Sequence, residues 1–140
     1  ERLAPPEFSV ERMAPLSEGV ELIVGVRRDP RFGPVALVGL GGIYAELLGD
    51  VGVALAPLDR GEALRLLESL QGAALLTGAR GRAAVDIGAA ADAAVALSQL
   101  AAARPDIAEI EVNPLLVTPE GALALDARII PADEGGDDAG

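Results

Sequence analysis

The residues best suited to chemistry in this chain lie on either side of one turn. Glu111-Val112-Asn113-Pro114 comes before Thr118-Pro119-Glu120-Gly121, and Leu125-Asp126-Ala127-Arg128 follows it. The middle segment is dense in turn formers and sits between two short apolar runs, so it reads as a hairpin. Pairing Thr118 with Gly121 sets Asn113 opposite Asp126 and Glu111 opposite Arg128. Opposed side chains in an antiparallel ladder stand roughly 4.5 to 5.5 Å apart at Cβ, so an amide oxygen and a carboxylate converge on a common point. That donor set suits Mg²⁺, a hard cation that takes one or two protein oxygens and fills its other positions with water and phosphate. Glu111 shares strand parity with Asn113 and projects onto the same face. It reads either as a carboxylate beside the metal that positions a phosphoryl group, or as the partner of Arg128 in a surface ion pair. Asn113 and Asp126 likewise read as a turn start and a solvated edge charge if no ion is held.

Composition narrows the alternatives. The 140 residues carry 22 acidic and 11 basic side chains, a net charge of -11, and every basic residue is Arg. His, Cys, Lys and Trp are absent. This removes Cys/His zinc sites, Ser-His-Asp and Cys-His nucleophile pairs, disulfides, Schiff-base lysines and the P-loop lysine, leaving oxygen-ligand metal chemistry. An acidic chain with three aromatic residues, Phe8, Phe32 and Tyr44, lacks the side chains for counterion release or base stacking, so nucleic acid is not expected as a partner. No apolar run approaches the length of a membrane span and the first residues have no signal layout, so a soluble cytoplasmic domain is expected.

The elements that must position these residues follow from pattern. Residues 1–7 are Pro-rich and read as an extended leader. Glu21–Val26 is a β-rich run, Asp29 to Pro34 a turn, and Val35–Val38 a second strand at hairpin distance. Period-two alternation from Ile43 through Leu55 predicts one interrupted strand ending before Pro57, with Gly49 or Gly52 allowing a bulge. Leu64, Leu67 and Leu70 predict a short amphipathic helix over 61–70, ended by Gly72. Asp86 is placed to cap a helix from Ile87 to about Ala103, closed by Arg104-Pro105. Two last strands are expected at 108–117 and 122–130, and the acidic segment 131–140 is expected to be disordered. The predicted fold is α+β, a mixed, mainly antiparallel sheet with two main helices packed on it.

Three further segments are candidates for binding. Gly39-Leu40-Gly41-Gly42 follows a strand and reads as an anion-binding nest or as a tight turn. Glu11 to Ala14 joins the leader to the first strand, as a connector or as a hinge offering backbone groups to a base edge. Arg80 and Arg82, in a glycine-rich loop, read as phosphate or carboxylate binders or as solvated charge.

Taken in order, Gly19–Val26, Asp29–Pro34, Gly39–Glu46, Leu55–Leu58, Gly78–Arg82, Glu109–Leu115 and Ala124–Arg128 resemble the carboxyl-terminal part of the ATP-grasp subunit of NDP-forming acyl-CoA synthetases, the group that includes acetate–CoA ligase (ADP-forming). The resemblance covers residues 8–130. It implies that Asn113 and Asp126 are Mg²⁺ ligands of an ATP/ADP site and that Glu111 faces a phosphorylated histidine. It also implies that Glu11, Met13 and Ala14 belong to the hinge at adenine, Glu21 to a nucleotide-contacting acid, and Gly41 and Gly42 to a glycine loop near the phosphates. The implied reaction is acyl-CoA + ADP + phosphate to acid + CoA + ATP, through acyl phosphate and phosphohistidine. Because the chain has no His, the phosphohistidine is expected on a CoA-binding partner domain or subunit. The family's preceding ATP-grasp subdomain, with a phosphate-contacting lysine, is expected to complete the site, and this part alone is expected to be inactive. A regulatory synthetase-like module of a protein acetyltransferase, and a non-catalytic interaction module prone to self-association, are the alternatives.

Overall fold

The computed structural model describes residues 9–42 and 49–133. Six strands, β1 (Val20–Asp29), β2 (Gly33–Leu40), β3 (Val51–Leu55), β4 (Ile107–Thr118), β5 (Gly121–Ala124) and β6 (Ala127–Pro131), form one sheet. Their order is β3-β2-β1-β4-β5, with β6 also on β4. Every pairing among them is antiparallel. Two α-helices, α1 (Arg60–Glu68) and α2 (Ile87–Ala103), cover one face.

Alternation along the strands decides which face the helices cover. Leu22, Val24 and Val26 of β1, Ala36 and Val38 of β2, and Ile110 and Val112 of β4 are buried with Ala63 and Leu67 of α1 and Ala90, Ala91, Ala94 and Ala101 of α2. Alanine on the helix side lets α2 lie close to the sheet, so small residues there complement Leu and Val below. Arg28 ties the sheet to the end of α2, its Nη2 donating to the Ala101 and Arg104 carbonyls at 2.7 and 3.2 Å and its Nε to Ile107 at 3.3 Å.

The helix starts have local causes. Asp86 accepts from the Ala89 N–H at 2.9 Å and α2 begins at the next residue, as its sequence suggests. α1 starts one residue earlier than expected because Asp59 and Glu62 form a capping box, a signal carried by the spacing Asp-x-x-Glu. It also stops at Glu68, short of the expected Leu70 and Gly72. The carboxylate of buried Asp50 accepts from the Gln71 and Gly72 N–H groups at 2.8 and 2.7 Å and draws the chain off the helix axis.

Three other expectations change. The last strand is two, because the chain leaves strand geometry at Leu125–Asp126; the Asn113 N–H to Asp126 O and Leu125 N–H to Pro114 O bonds, each 3.0 Å, still carry the pairing across. β3 begins at Val51, and Gly52 pairs in register with Val38, so it makes no bulge, whereas Gly49 takes φ +53 before the strand. The first half of the expected interrupted strand, 43–48, lies outside the described residues, as do 1–8 and 134–140. At the expected start of the tail, Pro131 is still in β6 and the Ala132 N–H reaches Asp106 O at 2.8 Å. Among the described residues no helix is long and apolar enough to cross a membrane.

Candidate functional site

Inward-pointing even positions of β1 leave Glu21, Ile23, Gly25 and Arg27 on the face away from the helices. Gly25 is paired with Glu111 and Arg27 with Glu109, so this open face continues onto β4. Beyond β4, the hairpin has the register its turn dictates. Thr118 pairs with Gly121, Glu111 with Arg128, and Asn113 bonds through its backbone to Asp126. Glu111, Asn113, Asp126, Ala127 and Arg128 line one depression of about 240 Å³. Asn113 and Asp126 are exposed there and Glu111 is half-buried. The structure thus brings the three chemically suited residues together at the edge of the open face.

Arg128 does not pair with Glu111. Its Nη2 lies 2.9 Å from Glu109 Oε1, and Arg27 Nε lies 3.7 Å from the other oxygen of the same carboxylate. Among the described residues no ion pair engages Glu111, Asp126 or Glu21.

A second group gathers where β1 begins and β2 ends. Glu21, Gly41, Gly42, Gly19, Leu75 and Arg82 line a depression of about 390 Å³. The Glu21 carbonyl accepts the Gly41 N–H at 2.7 Å, and a Cβ placed on Gly42, at φ +62, would fall 2.7 Å from Glu21 Oε2. Glycine at 42 therefore makes room for the Glu21 carboxylate. Of the two readings of Gly39 to Gly42, nest or tight turn, the backbone bonds favour the turn. Gly39 is a ladder residue opposite Val51, the Leu40 N–H goes to Asp50 O at 3.2 Å, and the Gly41 N–H is taken by Glu21, so three of the four glycine-segment amides serve the sheet.

Arg82, exposed in the glycine-rich loop, lines this depression beside Glu21 and Gly42. Arg80, its neighbour in the loop, takes φ +60 and lines neither depression. Glu11, Met13 and Ala14 are not joined to either group. They lie in irregular chain before a short 3₁₀ turn at Leu16–Glu18, with Glu11 accepting from the Ser9 hydroxyl at 3.0 Å and Met13 88% exposed.

Comparison with known proteins identifies the architecture. A family profile described as "ATP-grasp domain" matches residues 3–130. The chain belongs to the ATP-grasp family. This ATP-grasp chain is 44% identical over 121 residues to the beta subunit of acetate–CoA ligase [ADP-forming] I of Pyrococcus furiosus, covering 86% of this chain and 51% of that protein. It is 42% identical over 113 residues to 4-hydroxybutyrate–CoA ligase [ADP-forming] of Nitrosopumilus maritimus, covering 79% and 16%. Among solved structures, dinucleotide forming acetyl-coenzyme A synthetase 1 of Ca. Korarchaeum cryptofilum, in complex with coenzyme A and Mg-AMPPCP, superposes with a TM-score of 0.78 at 40% identity. The match covers 92% of this chain and 55% of that one. The chain therefore spans about half the length of the beta subunit and a smaller share of the single-chain ligase. The α+β antiparallel fold expected from the pattern is the one these relatives share.

Proposed function

We propose that this ATP-grasp chain is the nucleotide- and Mg²⁺-binding part of an NDP-forming acyl-CoA synthetase, and that residues 8–130 are the C-terminal subdomain of its ATP-grasp unit. The observation that carries the reading is the shared depression of Asn113, Asp126 and Glu111 on the open sheet face, in a chain similar to ADP-forming acid–CoA ligases. An amide oxygen and a carboxylate, exposed and with no nitrogen or sulfur ligand beside them, fit a cation that keeps several waters and takes phosphate oxygens as its remaining ligands. Bound there, Mg²⁺ supplies neutralisation of phosphate charge.

In this reading Asn113 and Asp126 hold the ion, and Glu111 faces the phosphorylated histidine of a CoA-binding partner domain. Glu21, Gly41 and Gly42 line the rest of the ADP or ATP site, and Glu11 to Ala14 meet the base as the hinge closes. Glu21 and Glu111 share one face, and Gly25, the partner of Glu111, is four residues from Glu21, roughly 14 Å along β1. That is the scale of one extended nucleotide. The reaction is acyl-CoA + ADP + phosphate to acid + CoA + ATP, in the cytoplasm. Phosphoryl transfer depends on positioning and charge neutralisation from both sides of the nucleotide, so this part requires the preceding ATP-grasp subdomain and the histidine-bearing domain. Val51, Val53 and Leu55, exposed along β3, are the apolar surface on which another unit or a second copy would pack. A regulatory acetyltransferase module and a non-catalytic module are not favoured by relatives that are acid–CoA ligases.

The test is titration with Mg·ADP after supplying the preceding subdomain. Asn113→Ala and Asp126→Ala are each expected to weaken Mg-dependent nucleotide binding by about tenfold or more, since even outer partners of metal ligands cost that much. Unchanged affinity in both variants rejects the ligand assignment.

A further inference from the structure

Two arginines stand at the acidic depression, Arg128 in its lining and Arg27 beside it, and both are engaged by Glu109 rather than Glu111. Arg128 is the ladder partner of Glu111 on β6, and Arg27 lies two positions along β1 from Gly25, the partner of Glu111 on the other side. At roughly 5 Å between directly opposed Cβ atoms for Arg128 and roughly 7 to 8 Å diagonally for Arg27, either guanidinium can reach the Glu111 carboxylate. Arginine stays charged at any working pH and matches carboxylates geometrically, so a guanidinium seated there would compete directly with a divalent cation.

Both arginines are instead in contact with Glu109. Its Oε1 accepts from Arg128 Nη2 at 2.9 Å while its Oε2 lies 3.7 Å from Arg27 Nε. The Glu109 side chain is 19% exposed, whereas those of Arg128 and Arg27 are 61% and 82% exposed. The carboxylate is thus the more buried member of the triad and the two arginines its solvent-facing ones.

We propose that Glu109 is a positioning residue for the metal-binding face. It holds Arg128 and Arg27 off the neighbouring carboxylates so that Glu111 and Asp126 keep their charge for a divalent cation and its phosphate. The proposal rests on the reading of Asn113 and Asp126 as the metal pair. It assigns Glu109 no contact with the ion. Its effect runs through the arginines, and the double substitution isolates that route.

The experiment uses the whole chain and Mn²⁺ as the probe. Asn113 is the only Asn and Gln71 and Gln99 the only Gln, so its side-chain amide is readily recognised by NMR, and Mn²⁺ bound nearby broadens it. Glu109→Gln is expected to raise the Mn²⁺ concentration for half-broadening by about two- to fivefold, the scale of one exposed ion pair. In an Arg27→Gln/Arg128→Gln background the same change at Glu109 is expected to cost little. A Glu109→Gln variant that binds Mn²⁺ as the parent does overturns the proposal. So does a loss that persists in full without both arginines, which would mean that Glu109 acts by a route other than Arg27 and Arg128. Unperturbed Gln71 and Gln99 amides report that the variants fold alike. If Mn²⁺ broadening of Asn113 is absent in the parent, or is indifferent to Asp126→Ala, the metal reading itself fails and this proposal falls with it.

Discussion

The guanidinium of Arg128 donates to Glu109 at 2.9 Å, although the residue directly across the ladder from Arg128 is Glu111. The diagonal choice has a physical basis. Glu109, 19% exposed, is approached from its other side by Arg27, so one side chain satisfies two cations and the cost of ordering it is shared. Glu111 is left on the open face between Gly25 and the Asn113–Asp126 pair, with no ion pair among the described residues.

Gly25 keeps that face accessible. A Cβ there would lie 3.1 Å from Ile110 O and 3.6 Å from the Glu111 Cβ. Gly25→Val is therefore expected to crowd Glu111 and, on the proposed function, to slow phosphoryl transfer in the completed assembly by on the order of tenfold or more. Single-turnover transfer to the histidine-bearing partner is the measurement.

Gly42 carries two constraints that can be separated. Gly42→Ala forces an L residue into φ +62 and puts a methyl 2.7 Å from Glu21 Oε2. A stability loss of about 1–2 kcal/mol is expected from the backbone, accompanied by weaker nucleotide binding. Gly33→Ala has the same backbone problem, φ +77, with nothing within 4 Å of the new Cβ. It is expected to lose stability alike in urea titration while leaving nucleotide affinity unchanged.

Ser98 is a fully buried hydroxyl that accepts from the Leu58 N–H at 2.9 Å and donates to Val95 O at 2.8 Å. Ser98→Ala orphans the Leu58 amide in the core, and a loss of about 1–3 kcal/mol is expected. Chemical denaturation of the variant against the parent gives the number.

Asp106 carries the pH-dependent interaction. Its carboxyl is held below the ordinary aspartate value by the hydrogen bond from Arg104. A depressed pKa means that the stabilisation is present above the unfolded-state value and is lost as pH falls through the folded one. The carboxyl ¹³C shift of Asp106 is expected to titrate at lower pH than a free aspartate. Arg104→Gln should move that midpoint upward. Because both groups are fully exposed, high salt should narrow the difference.

The sequence by itself determined the elements whose causes are local. The turn at Thr118–Gly121 sets the register that places Glu111 opposite Arg128 and Asn113 beside Asp126, because a hairpin's register follows from its turn. Period-two alternation sorts β1 and β4 into a buried and an open face, and Asp86 starts α2 through its own side chain.

Only the tertiary structure decided matters that turn on distant partners. Asp50 ends α1 from 21 residues away, Glu21 consumes the Gly41 amide that a phosphate nest would need, and Arg82 joins Glu21 and Gly42 in one depression. Arg128 passes over its ladder partner for Glu109 with Arg27 of β1 on the other side. In each case a polar group had several partners permitted by spacing. The choice among them depends on relative burial and on which other charges arrive, quantities that exist only once strands far apart in the chain have packed together.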